Sequence, residues 1–182
     1  FRIRPSVSLT GKYNDNIFAT DTSEKSDFIT VTSPQLKIDS TWDRHSLRFS
    51  AGADFGRYQD YDAENYNDYW ANLDGRYDLT ETTNIFGGLG LGFEHEGRDS
   101  PDATLGGLKP TTYRSNNGHL GFKTTHGKTT FRLGATYEQL DFDNVPTSLP
   151  GISIINHDRD RDLLGMGLRA THKIDEEHEI YA

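Results

Sequence analysis

Residues 46–55 read SLRFSAGADF, and residues 69–79 read YWANLDGRYDL. In the first stretch Leu47, Phe49, Ala51, Ala53 and Phe55 alternate with Ser46, Arg48, Ser50, Gly52 and Asp54. In the second, Tyr69, Ala71, Leu73, Gly75, Tyr77 and Leu79 alternate with Trp70, Asn72, Asp74, Arg76 and Asp78. A period of two is that of a β-strand, whose successive side chains point to opposite faces, so each stretch predicts a strand with one apolar and one highly polar side. A soluble sheet also alternates. Strands of roughly ten residues, repeated along a chain and joined alternately by short and long connections, are what a transmembrane β-barrel requires.

Outward from these two runs the same rhythm continues. Residues 3–13 place Ile3, Pro5, Val7, Leu9, Gly11 and Tyr13 opposite Arg4, Ser6, Ser8, Thr10 and Lys12. Pro5 is tolerable near a strand start, where a missing donor matters least. Residues 28–38 alternate poorly, because Ile29 and Val31 have the opposite parity to Leu36 and Ile38. A bulge or register change near Ser33 and Pro34 is the expected reconciliation. Further strands are predicted around residues 85–94, 118–123, 130–138 and 164–171. Short turns fall near positions 41, 81, 127 and 176, and long connections cover residues 14–26, 58–68, 97–110 and 141–160. The expectation is an all-β, antiparallel, meandering transmembrane β-barrel of about eight strands plus the start of a ninth, a count read from this strand rhythm. Because a barrel in lipid must pair every edge, the start of a ninth strand predicts that residues 1–182 form one outer-membrane barrel domain, the N-terminal portion of a larger barrel.

Composition narrows the classes. The chain is 33% hydrophobic, with 18 Gly, 9 Tyr, 10 Phe and no Cys. Its mean hydropathy is -0.75. No run of about eighteen apolar residues is present, which excludes a transmembrane helix but not a barrel, where only alternate residues meet lipid. A net charge of -9 with no basic stripe argues against nucleic acid as a partner. No positively charged leader followed by an apolar run opens the sequence, so any export signal is expected to have been removed or to lie outside it.

The segment Tyr13-Asn14-Asp15-Asn16-Ile17-Phe18, directly after the first alternating run, resembles the opening hairpin of the putative β-barrel porin 2 family of Gram-negative outer-membrane proteins. The resemblance implies a bacterial outer-membrane location and a conduit-like role in a larger single-chain barrel, often linked to surface or exopolysaccharide systems. The segment also has a local physical reading: Asn and Asp favour turns where a strand emerges into a loop, and Ile17 and Phe18 are placed to tuck beneath the rim.

The polar faces carry Lys12, Arg48, Asp54, Asp74, Arg76, Asp78, Glu94, Lys123, Arg132, Glu138 and Arg169. In a barrel these point into a lumen, where opposed charges order water and screen solutes by charge and size. Gly88, Gly90, Gly92, Gly165 and Gly167 on the same faces predict spare interior volume. In the long loop, Asp60, Asp62, Glu64 and Asp68 interleave with Tyr58, Tyr61, Tyr66 and Tyr69, offering oxygens to a cation and aromatic faces to sugars. The spacing lacks the glycine and distal glutamate of an EF-hand, and a hydrated loop, with divalent bridging to lipopolysaccharide as a middle case, is the simpler account.

Seven His residues are scattered without zinc-site spacing, so no metal and no cofactor is expected. Glu94 beside His95 and Asp158 beside His157 are weak catalytic pairs, since neighbours in a strand point apart, and no motif places a nucleophile against a base. The sequence therefore predicts no enzyme but a porin-like conduit for ions or hydrophilic solutes. Its expected partners are outer-membrane lipid, lipopolysaccharide, small hydrophilic solutes or a polysaccharide in export, and further copies or partner chains. The alternatives are a non-conducting structural or adhesive surface barrel and, behind it, a soluble β-sandwich that binds sugars.

Overall fold

The computed structural model describes residues 1–103 and 106–182. Nine strands form one antiparallel meander in chain order. They are β1 (Arg2–Asn14), β2 (Asp27–Asp39), β3 (Ser46–Tyr58), β4 (Tyr66–Asp78), β5 (Thr83–His95), β6 (Thr112–His126), β7 (Thr129–Phe142), β10 (Arg161–Lys173) and β11 (Glu179–Tyr181). A two-residue hairpin, β8 (Val145–Pro146) with β9 (Ser153–Ile154), interrupts the connection from β7 to β10. Every connection between sequential long strands is a hairpin, so the alternation seen in sequence becomes two continuous sheet faces.

Register assigns those faces. Phe49 stands opposite Leu73 and Leu73 opposite Leu89, while Leu120 faces Ala135 and Leu133 faces Leu168. The same side carries Leu47, Leu91, Phe131 and Leu164. Among the described residues this side has no protein partner: Leu89 is 67% exposed, Leu164 70% and Met166 80%. A contiguous apolar surface this broad is not sustained in water. Aromatic side chains bound it at two levels. Tyr13, Phe28, Phe55, Tyr69, Phe93 and Tyr137 lie toward the long-loop end, and Phe1, Trp42, Tyr77 and Phe131 toward the short-turn end. Phe1 meets Trp42 edge-on at 5.4 Å between ring centroids.

One sequence expectation is corrected. β2 has no bulge at Ser33 and Pro34: it pairs β1 without a break from Asp27 to Asp39, and its register with β3 is the same on both sides of Pro34. Proline only removes a ladder donor there. Ile29 and Val31 therefore lie on the polar side, and they are buried rather than solvated. Ile29 shares a cavity with Ile17 and Tyr58, so it packs beneath the first long loop.

The core of the molecule is accordingly displaced from the sheet centre. Among the described residues the buried apolar side chains are Ile17, Ile29, Val31, Ala53, Phe142 and Val145, most of them at the long-loop end. Among the described residues the sheet is open: β1 pairs only β2, β11 pairs only β10 across three residues, and β1 is exposed along its whole length.

Candidate functional site

The eleven charged residues expected on the polar side all fall there by register. Several are paired. Asp39 accepts from Arg48 at 2.9 Å and also from Arg4, which together hold one carboxylate between three strands. Arg76 meets Asp78 at 2.9 Å, Glu138 meets Arg161 at 3.1 Å, and Asp74 stands 3.8 Å from His119. Asp54 accepts from the Ser33 hydroxyl, and Glu94 accepts from Tyr113 and Ser115, each at 3.2 Å. Such exposed pairs are screened by water, so they order side chains more than they stabilise the sheet. No ion pair reaches Lys12, Lys123, Arg132 or Arg169 among the described residues.

Most cations of the polar side gather toward the short turns, where Asp39, Asp74 and Asp78 also stand. Arg4, Lys37, Arg48 and Arg76 each stand two residues in from the short-turn end of their strand, Lys123 and Arg132 three, and Arg169 four. Asp54, Asp68, Glu94 and Glu138 lie in the half nearer the long loops. Lys37 belongs to this pattern, whereas Arg161, the first residue of β10, stands with Lys12 at the long-loop end; Lys37 and Arg161 both escaped the sequence reading. Lys37 sits in the poorly alternating run of β2, and Arg161 in what reads as a loop.

The glycines of the polar side are mostly not vacant. A Cβ on Gly88 would lie 2.6 Å from Asp74 and His119 atoms, one on Gly90 2.5 Å from Asn117, and one on Gly92 2.3 Å from Ser115. Neighbouring side chains lie flat across these positions, which is why the expected spare volume is absent there. Gly165 has the Thr136 hydroxyl 2.7 Å from its would-be Cβ, whereas Gly167 has nothing within 4 Å.

At the other end the long loops pack into an ordered rim. Buried Asp27 accepts from the backbone N–H groups of Phe28, Gln59, Asp60 and Tyr61, which anchors the third-to-fourth strand loop over the start of β2. Glu64, 3% exposed, takes a bidentate pair from Arg98 at 2.8 and 2.7 Å. The Arg98 guanidinium lies 5.8 Å from the Phe18 ring, and Phe18 meets Tyr61 edge-on at 5.4 Å. Ile17 and Phe18 thus tuck under the rim as expected. Arg159 grips Glu96 at 3.0 and 2.6 Å, and that hydrogen bond holds its guanidinium above its usual pKa. Beneath these contacts, on the polar side, opens a cavity of about 590 Å³ lined by Glu94, Glu96, Tyr113, Glu138, Arg159 and Arg161.

The four loop carboxylates do not converge. Glu64 is committed to Arg98, Asp68 accepts from the backbone N–H of His95 and meets its ring Nδ1 at 2.8 Å, and Asp62 closes a single 3₁₀ turn (Asp62–Glu64). Asp60 lies on the exposed outer surface, its backbone N–H held by Asp27.

Over residues 1–182 the chain matches a family model described as "Putative beta-barrel porin 2". It belongs to that family. No curated protein and no solved structure matches it. In β-barrel porins generally, an apolar side between two aromatic levels forms the outer wall and the polar side the inner wall.

The histidines of this porin chain find partners other than their sequence neighbours. His95 stacks on Tyr66 at 3.7 Å between centroids and contacts Asp68, not Glu94. His157 contacts Asp160 at 3.1 Å, not Asp158. Asp141, His157 and Asp160 bring one ligand atom each within 4.8 Å of one another, a grouping invisible in the sequence because β7 and the second 3₁₀ turn (His157–Arg159) meet only in the fold. Asp160 is already engaged: the Phe142 N–H, and then His157, hold its carboxyl below the usual carboxylate range.

Proposed function

We propose that this chain forms part of the wall of a bacterial outer-membrane barrel that conducts ions or small hydrophilic solutes. The observation that carries the reading is the contrast between the two sides of one sheet: an unpartnered apolar band between two aromatic levels, backed by a face charged from end to end. The aromatic levels match the headgroup depth of a bilayer, and the charges match a hydrated lumen. The long-loop end then faces the cell exterior, against lipopolysaccharide, and the short turns face the periplasm. Unpaired edge donors cannot remain in hydrocarbon, so in the closed form further strands, from the same polypeptide or from a neighbouring copy, complete the seam between β1 and the β10–β11 edge. Participation in surface-polysaccharide export is the most specific extension of this reading.

Conductance of the full-length protein in planar bilayers tests it. Single-channel steps are expected, and charge reversal at Arg76 and Arg132 is expected to shift the cation-to-anion permeability ratio. A second reading, a non-conducting structural or adhesive barrel, is favoured by the tightly packed rim around Glu64 and Arg98 and by the side chains that cover Gly88, Gly90 and Gly92. Absence of conductance in a correctly folded barrel selects it.

A further inference from the structure

Three cations stand in register across adjacent strands of the polar side. Lys123 on β6 faces Arg132 on β7, and Arg132 faces Arg169 on β10. Side chains directly opposite in this way lie about 5 Å apart at Cβ, and like charges so placed repel. Of the other cations at this level, Arg4 and Arg48 share Asp39 and Arg76 has Asp78, while Lys37, opposite Arg4, has no ion pair among the described residues. Among the described residues no carboxylate pairs with the three in-register cations.

The two guanidiniums are nevertheless positioned. Arg132 lies 4.6 Å from the Phe86 ring centroid and Arg169 4.9 Å from that of Tyr181. Stacking on an aromatic face fixes the plane of a guanidinium while leaving its N–H edge free to donate. The next row on the same strands and the same side is Gly121, Gly134 and Gly167, again in direct register. Phe86 covers Gly121, but a Cβ on Gly134 would meet nothing closer than the Leu120 carbonyl at 3.7 Å, and one on Gly167 nothing within 4 Å. The row below is Thr125, Thr130 and Thr171. Three unpaired cations are therefore flanked by hydroxyls on one side and bare backbone on the other.

We propose that Lys123, Arg132 and Arg169 form a binding row for oxyanions, the phosphate or carboxylate groups of hydrated solutes, over the floor at Gly134 and Gly167. An oxyanion relieves the mutual repulsion of the row and accepts the bidentate hydrogen bonds that a stacked guanidinium presents. The glycine floor leaves room for the remainder of the solute. The row's position inside a lumen rests on the porin reading; its affinity for an oxyanion does not.

The test uses inorganic phosphate on the full-length protein, with two readouts. In planar bilayers, phosphate added on the short-turn side is expected to reduce the chloride current. In detergent, phosphate is expected to raise the Tm above that in chloride of equal ionic strength, because a ligand that binds only the folded state stabilises it. Arg132→Gln and Arg169→Gln are each expected to raise the half-blocking phosphate concentration about tenfold, as loss of one charged hydrogen-bond donor implies. Gly167→Glu, which sets a carboxylate on the floor, is expected to abolish both effects. Without phosphate the Gln variants should be at least as stable as the parent, since a repulsive pair is gone. Conductance that phosphate leaves unchanged, with no Tm effect, overturns the anion row and leaves the porin reading standing. Phosphate stabilisation without any conductance keeps the row and removes the porin reading. Marked destabilisation by Arg132→Gln in phosphate-free buffer overturns the row, because it reveals an internal carboxylate partner.

Discussion

Replacing Leu89 by Arg is the sharpest test of which side of the sheet meets lipid. Leu89 lies at the middle of β5, opposite Leu73 on one flank and Gly118 on the other. The aromatic levels on β4 bracket it symmetrically: Tyr69 pairs with Phe93 and Tyr77 with Ile85, four residues to either side. At about 3.3 Å per residue and a tilt near 40°, four residues correspond to roughly 10 Å of height, so Leu89 sits at the midplane of an apolar band about 20 Å deep between the rings. Its side chain also covers Gly118, where a built Cβ would lie 3.3 Å from Leu89 Cδ2. An arginine there must stay in hydrocarbon or drag headgroups inward, which costs about 2–4 kcal/mol. Ile85→Arg, at the level of Tyr77, should cost about 0–1 kcal/mol because it reaches the interface. Thr136→Arg, on the polar side, should cost little. Leu133→Arg, on the apolar side but nearer the short turns, should fall between Leu89→Arg and Ile85→Arg. Equilibrium unfolding by urea from phospholipid vesicles reads all four. Equal costs for Leu89→Arg and Thr136→Arg would falsify the assignment of faces, and a Leu89 cost no greater than that of Ile85 would refute the depth argument.

Protease added to intact cells should cut residues 147–155, where Leu149, Ile152 and Ile155 are all more than half exposed, before residues 79–82 or 127–128; the opposite order reverses the orientation. Arg98→Met leaves Glu64 buried without its partner, so it should destabilise the rim by about 3–5 kcal/mol, read as loss of protection in residues 59–65 by hydrogen exchange. Glu64→Gln combined with Arg98→Met should recover part of that loss, since no unpaired charge remains; recovery of nothing contradicts the ion-pair account. Asp160 has its folded-state pKa lowered, so its contribution to the rim is present above the unfolded value of about 3.9 and is lost as pH falls through the lower folded one. Proteolysis of residues 143–160 should therefore rise in that acid window, and Asp160→Asn should remove the step.

Alternation alone determined the strands, their two faces and the separation of short turns from long loops. It did so because a period of two is a local property of the backbone, and one apolar and one charged side follow from it without knowledge of any partner strand. The eleven charged residues of the polar side, from Lys12 to Arg169, were legible for this reason. Alternation misled at β2, where Ile29 and Val31 suggested a shifted register. Pairing with β1 and β3 keeps them on the polar side, where Ile29 lines a cavity together with Ile17 from a different segment, a juxtaposition no local pattern encodes. The rim was illegible for the same reason: Glu64 and Arg98 are 34 residues apart, and Glu96 and Arg159 are 63 apart. The glycines read as empty because a side chain's own strand does not say which neighbour will lie across it; register supplied Asn117 over Gly90 and Trp70 over Gly52. Register likewise set Lys123, Arg132 and Arg169 side by side. Each is an ordinary polar-side residue of its own strand, and only the stagger between hairpins, which depends on turn geometry and cross-strand pairing, turns three separate charges into one row.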